Sequence, residues 1–215
     1  MTEFTIDTLA FRQAITTALA FASTDDVLPQ IHAVRIASAG EHLIDVAATD
    51  RYVLSVEKLS VEGEPFDVTV PYGVAKQLLT ALPKPRRGQI VDSLLTLTKD
   101  DDRVTVRVVG DVETAITFTP IDNIDPSMKF VDYHALLAKT DEGAEDPAPV
   151  MGFVPKILTN VCRAVSARDG NTPMRIRFRG AHKAITVEQD TLTVLVMPVR
   201  FNDQAETRRA AEVAA

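Results

Sequence analysis

The apolar positions of this 215-residue chain switch repeatedly between a period of 3.6 residues and a period of 2. From Asp7 to Ser23, DTLAFRQAITTALAFAS, residues Phe11, Ala14, Ile15, Ala18, Leu19 and Ala22 fall at helical spacing behind Asp7 and Thr8, whose side chains suit a helix start. Three alternating runs follow: AVRIAS from Ala33, LIDVAA from Leu43 and RYVLSVEKLSV from Arg51. After the turn-like Glu62-Gly63-Glu64-Pro65 the order restarts. FDVTVP from Phe66 reads as a strand, and YGVAKQLLTAL from Tyr72 as a helix with Val74, Ala75, Leu78, Leu79 and Leu82 on one face. Pro83 and Pro85 end that helix, because a proline ring crowds the helical conformation of the residue before it. Three more strand runs follow, QIVDSLLTLTK, RVTVRVV and TAITFTP. A third copy starts with MGFV from Met151 and a helix PKILTNVCRAVSAR, with Ile157, Leu158, Val161, Cys162 and Val165 in one stripe. It closes with MRIRFRG, KAITVEQ and TLTVLVMPVRF.

This rhythm predicts an α+β fold built from a strand-helix-three-strand unit, present three times. Residues 1–122 form a complete domain of two units, 123–149 a linker, 150–201 a partial domain of one unit, and 202–215 a flexible tail. The linker assignment rests on AKTDEGAEDPAP, which is acidic and rich in Pro and Ala. One strand run is irregular: AATDRYVLSVEKL carries the charged pair Asp50-Arg51 inside an alternating pattern. That pair is expected to mark a corner between two strands, with the Asp50 carboxylate accepting from turn amides.

A hydrophobic content of 46% with 25% charged residues is that of an ordinary globular chain. The apolar runs are too short to span a bilayer, and the N-terminus lacks the basic-then-apolar order of a secretion signal, so a cytoplasmic location is expected. The single cysteine excludes an internal disulfide, and Cys162 is expected to be a small core residue. His32, His42, His134 and His182 lack the spacing of a metal site. No phosphate-binding loop, dinucleotide fingerprint or nucleophile elbow occurs. The expectation is a binding protein, not an enzyme, with no metal and no cofactor.

The net charge of −7 argues against a uniformly basic surface, but its distribution is uneven. The three predicted helices carry no Asp or Glu after the first cap. At the average of 30 acids in 215 residues, roughly six would be expected. Arg12, Lys76, Lys84, Lys156, Arg163 and Arg168 instead punctuate these helices or follow them, along with Arg86 and Arg87. A shared face without carboxylates suits a polyanion, through backbone contacts that carry no sequence information.

Several segments then resemble the bacterial sliding clamp family, the beta subunit of DNA polymerase III. VLPQIHAVRI with GEHLIDVAATDRYVLSVEKL resembles the first half of that family's middle domain, and VPYGVAKQLLTAL its second half. KFVDYHALLAK resembles the passage to the last domain, and VMGFVPKILTNVCRAV with the terminal VLVMPVRF resembles the last domain's final half. The resemblance implies a DNA clamp fold, helices on one face and antiparallel sheets on the other. It further implies a processivity factor that encircles duplex DNA as a homo-oligomeric ring and binds short peptide motifs of the DNA polymerase and the clamp loader. The implied peptide pocket comprises Thr49, Arg51, Tyr52 and Leu54, then Pro71, then Leu195, Met197, Pro198, Val199 and Arg200, with Ile31 and Leu79 as additions. Arg12, Lys76, Lys84, Lys156, Arg163 and Arg168 would face DNA. The family has three full domains per chain; no counterpart of the first is found here, and the last lacks one half. Four chains of three units would supply twelve helices. A rival expectation is a clamp-like adaptor or decoy that captures such peptides without encircling DNA.

Overall fold

The structure, a computed structural model, describes residues 1–84, 93–108, 114–125, 127–141, 152–180 and 183–199. The first unit contains β1 (Thr2–Asp7), α1 (Thr8–Phe21), β2 (Ala33–Gly40), β3 (Leu43–Thr49) and β4 (Val53–Ser60), with a two-residue strand β5 (Glu62–Gly63) after it. The second contains β6 (Val68–Pro71), α2 (Tyr72–Ala81), β7 (Leu94–Asp100), β8 (Arg103–Val108) and β9 (Thr114–Phe118). Two helices then intervene, α3 (Ile121–Ile124) and α4 (Tyr133–Asp141). The third unit contains α5 (Pro155–Asp169), β10 (Arg175–Arg177), β11 (Ile185–Gln189) and β12 (Leu192–Val196).

The first two units complete each other by exchanging their first strands. β1 lies antiparallel on β7, with Asp7 opposite Leu94, and β6 lies antiparallel on β2, with Pro71 opposite Ala33. Phe4, Phe11, Ile15, Val34, Ile36, Ala75, Leu78, Leu95 and Leu97, all essentially inaccessible, form one core from both units. Asp7 caps α1, its Oδ1 accepting from the Ala10 amide at 2.7 Å. Arg12 on α1 donates from Nη1 to the carbonyls of Leu79 and Leu82, at the end of α2 where helical carbonyls lack intrahelical partners. The two helices are thus tied at the polar rim of their shared core.

The third unit extends the first unit's sheet. β12 pairs antiparallel with β4 from Leu192↔Glu57 to Val196↔Val53, giving a seven-stranded sheet in the order β10-β11-β12-β4-β3-β2-β6. The other sheet has five strands, β5-β1-β7-β8-β9. Against one face of the long sheet, Val161 and Val165 of α5 pack with Ile185, Val194 and Val196 in a cluster that also takes Phe21 and Val53 from the first unit. The opposite face carries Ala37, Ala47, Leu54, Val56 and Leu195, covered by Tyr133 with Phe130 and Leu137 beside it.

Three expectations change in detail. The segment expected as linker contains α4, started by Asp132, whose Oδ1 accepts from the Ala135 amide at 3.0 Å; residues 142–149 lie outside the described residues. In the third unit the described part of the expected first strand makes a single bridge, Gly152 with Val199. Cys162 is exposed rather than a core residue, because the buried stripe of α5 runs through Val161, Ala164 and Val165. His182 lies outside the described residues.

Arg168 fastens the end of α5 to the first unit. Its Nη1 meets the Glu57 carboxylate in an ion pair with side chains only 10% and 3% exposed, and its Nη2 donates to Thr191 Oγ1 at 2.9 Å. Burial pushes the Glu57 carboxyl up, and the Arg168 hydrogen bond and charge oppose that push. Removing one partner would strand a buried charge. Arg168→Ala should therefore lower the unfolding free energy by about 3–5 kcal/mol, while Arg168→Met combined with Glu57→Leu should recover most of the loss, read from urea denaturation. An unchanged midpoint in Arg168→Ala would rule out the pair as a fastening.

Candidate functional site

The Asp50-Arg51 irregularity is a hairpin corner. Asp50 Oδ1 accepts from the amides of Tyr52 at 2.9 Å and Val53 at 2.8 Å, and Thr49 Oγ1 donates to the Val53 carbonyl at 2.7 Å. Thr49 Oγ1 also accepts from the Arg51 amide at 3.1 Å, and Arg51 adopts a φ of +81°. The carboxylate and hydroxyl thus organise the corner's backbone, leaving the Arg51 and Tyr52 side chains exposed outside the sheet.

The β12–β4 ladder brings the two sequence motifs into direct contact. Leu54 lies opposite Leu195, and the Met197 amide donates to the Tyr52 carbonyl at 3.0 Å. Ile31 and Thr49 are drawn close, since the Ser23 amide donates to both their carbonyls at 3.1 Å. Pro71 lies opposite Ala33 on β2, two residues after Ile31 in the chain.

Burial divides these residues. Thr49, Ile31, Leu54 and Leu195 are buried, the last two beneath Tyr133 on the outer face of the sheet. Tyr133 donates from its hydroxyl to Asp45 Oδ2 at 3.2 Å, and burial, reinforced by the Asp45 charge, pushes the phenol's pKa up. Its neutral, donating form holds the segment Phe130–Leu137 over the leucine pair. By contrast Tyr52, Met197 and Val199 are 58%, 45% and 40% exposed and form an apolar edge beside Arg51. Leu79 packs against the core of the two-unit domain. Arg200 lies outside the described residues, as do Arg86 and Arg87.

A cavity of about 570 Å³ lies on the outer face, lined in part by Arg35, Asp67, Asp122, Phe130 and Tyr133. Arg35 bridges Asp67 at 2.6 Å and Asp122 at 2.9 Å there, and Asp122 accepts from the Thr69 amide and hydroxyl. One guanidinium is shared between two carboxylates, and the group pins α3 against β6. None of the residues expected for peptide capture lines it.

The cations of the helices also divide. α1, α2 and α5 carry no carboxylate before Asp169. Lys76, Lys84, Lys156 and Arg163 are exposed. Lys156 and Arg163 fall seven residues apart, on one face of α5. Two others have partners within the chain: Arg12 Nη1 donates to the carbonyls ending α2, and Arg168 is held by Glu57. A cleft of about 280 Å³ runs between α1 and α5, lined by Leu9, Arg12, Gln13, Thr16, Thr17 and Ala167. No described helix is long and apolar enough to cross a membrane.

No family model and no curated protein matches the chain in sequence. Solved structures match throughout its length. DNA polymerase III beta subunit from Thermotoga maritima superposes with a TM-score of 0.69 at 14% identity, covering 94% of this chain and 66% of that one. The DNA polymerase sliding clamp from Bacillus subtilis gives 0.65 at 15%, covering 93% and 64%. DNA polymerase III subunit beta from Borrelia burgdorferi, in complex with a natural product, gives 0.64 at 13%, covering 94% and 65%. The chain spans about two thirds of the length of these clamps. Its α+β architecture of repeated units, with paired antiparallel sheets, is the sliding-clamp fold.

Proposed function

We propose that this chain acts as a DNA sliding clamp, a polymerase processivity factor of the DNA polymerase III beta type. It breaks no bond and needs no cofactor. In this reading a homo-oligomeric ring in the cytoplasm encloses duplex DNA without sequence preference. The DNA polymerase and the clamp loader dock through short peptides.

The observation that carries the reading is the apolar edge at the β12–β4 seam. Tyr52, from the corner before β4, and Met197, from the end of β12, share a backbone hydrogen bond and leave their side chains exposed, with Val199 following. An extended peptide's aliphatic or aromatic anchor fits such an edge, with Arg51 and Arg200 supplying charge for its polar atoms. Leu54, Leu195, Thr49 and Ile31 would act from beneath, as the packed floor. Pro71 and Leu79 would lie at its margin. On the helix side, exposed Lys76, Lys84, Lys156 and Arg163 would meet phosphates through contacts too weak to fix a register, which is what sliding requires.

The third unit, which has no mate among the described residues, favours one rival: a clamp-like adaptor or decoy that binds the same peptides without enclosing DNA. Retention on circular DNA separates them. A clamp stays on closed circles and is released by linearisation, whereas the adaptor shows no topological dependence.

Two outcomes are expected. Met197→Ala and Tyr52→Ala should each weaken binding of a clamp-binding peptide by about 1–2 kcal/mol, roughly 5- to 30-fold in Kd, with unchanged melting, measured by fluorescence polarisation. Equal affinity in both variants would remove the seam as the docking edge. Leu54→Ala is a poorer probe because its buried side chain also supports the fold. Lys156→Glu and Arg163→Glu should reduce DNA retention and lower the slope of log K against log salt by about 1 per lost phosphate contact, leaving peptide binding unchanged. A slope identical to the native chain's would exclude α5 from the DNA surface.

A further inference from the structure

The three units can be compared position by position, because each helix follows directly on its unit's first strand segment. The fourth helical residue is Phe11 in α1, Ala75 in α2 and Leu158 in α5; the eighth is Ile15, Leu79 and Cys162. Phe11, Ile15 and Ala75 are fully buried in the core shared by the first two units, and Leu79 packs against it. Leu158 is 37% exposed and Cys162 is exposed. The strand after the helix repeats the contrast. Val34 and Ile36 in β2, and Leu95 and Leu97 in β7, are inaccessible. Their counterparts Ile176 and Phe178, in β10 and just after it, are 40% and 52% exposed. The third unit keeps apolar residues at these positions without the cover that buries them in the other two.

Its backbone shows the same vacancy. In the complete domain the residue before each helix pairs with the first residue of the other unit's meander, Asp7 with Leu94 and Pro71 with Ala33. Among the described residues β10 is the end strand of its sheet, with one edge on β11 and no strand on the other. The segment Gly152–Val154 precedes α5 as Asp7 precedes α1, and its one described bridge, to Val199, matches the contact of β1 with β5 after β4. A free donor segment and a free acceptor edge therefore occur in the same unit.

We propose that the third unit pairs with the third unit of a second copy of this chain. The pairing is two-fold: Gly152–Val154 of each copy adds to β10 of the other, with Val154 opposite the partner's Arg175 and Gly152 opposite its Arg177. Leu158, Cys162, Ile176 and Phe178 of both copies form the buried face between them. The first two units of this chain supply the template, since they join through the same strand exchange and the same positions. The added strand closes an edge that would otherwise invite uncontrolled pairing, and because the contact is self-complementary it stops at two. Lys156 and Arg163 lie on a different face of α5 and stay free. The proposal needs neither DNA nor peptide, so failure of the clamp function leaves it untouched.

Sedimentation velocity of the full chain without DNA should give a discrete dimer, twice the 23.5 kDa chain mass. Leu158→Glu and Phe178→Glu change side chains already exposed in the single chain, so each should yield a monomer with native far-ultraviolet circular dichroism. Cys162 should react slowly with a maleimide in the native dimer and at least tenfold faster in Phe178→Glu. A native chain that stays monomeric at high micromolar concentration overturns the proposal, as does a dimer that survives both substitutions. An open-ended or odd-numbered assembly overturns the two-fold pairing, whereas a closed even-numbered ring that comes apart at this contact in Phe178→Glu upholds it. A monomer with Cys162 protected would mean that this chain's own segments cover the face, and that too overturns it.

Discussion

The five-pair ladder between β12 and β4 is the constraint on which the rest of this structure depends. It joins strands more than a hundred residues apart in sequence, and its register decides what each face of the seven-stranded sheet contains. With Val196 opposite Val53, Val194 and Val196 point to the α5 side and Leu195 to the α4 side. A slip of one residue would exchange those faces and place Leu195 where Val194 now packs. The same register brings Glu57 to the end of α5, within reach of Arg168, and leaves Met197 beside Tyr52. Core, ion pair and exposed edge are thus consequences of one alignment.

Much of this was legible in the sequence because periodicity reports burial. The helix expected over Asp7 to Ser23 is α1, with Phe11, Ala14, Ile15 and Ala18 buried, and the helix from Tyr72 is α2. The corner at Asp50 was also readable, since a short carboxylate in a strand pattern has few roles other than bonding nearby amides. Other features depend on neighbours that no local window contains. α4 has an acidic surround and a weak apolar stripe, and its docking rests on Tyr133 reaching Asp45, a partner 88 residues away. The exchange of β1 and β6 is invisible too, because a strand's pattern records that it is covered and not by which sheet.

Charged residues illustrate the same limit more sharply. Arg12, Lys156, Arg163 and Arg168 look alike on a helical wheel, as cations on acid-free helices. Two of them turn inward for different reasons. Arg12 lies where another helix ends, and unpaired carbonyls there attract a guanidinium. Arg168 lies above a buried carboxylate on β4. Lys156 and Arg163 have no such partner within the described residues and remain outside. The absence of acids on these helices therefore mixes two causes, accommodation of internal cations and a surface that excludes negative charge.

Strand exchange also gives the fold an arithmetic. A unit that gives away its first strand retains an open edge and an uncovered helix flank, and a second unit closes both at once, as β1 and β6 do for each other. Units are therefore satisfied in pairs. The described residues form three. The third is steadied from one side by the β12–β4 ladder, by Phe21 and Val53 in its core and by the Arg168 pair, all supplied or met by the first unit. That support explains how it can fold beside the complete domain without its own mate. It does nothing for the flank bearing Leu158 and Phe178, which faces away from the material that stabilises it. In a fold whose units complete each other by twos, a unit that lacks its mate makes assembly part of the folding problem.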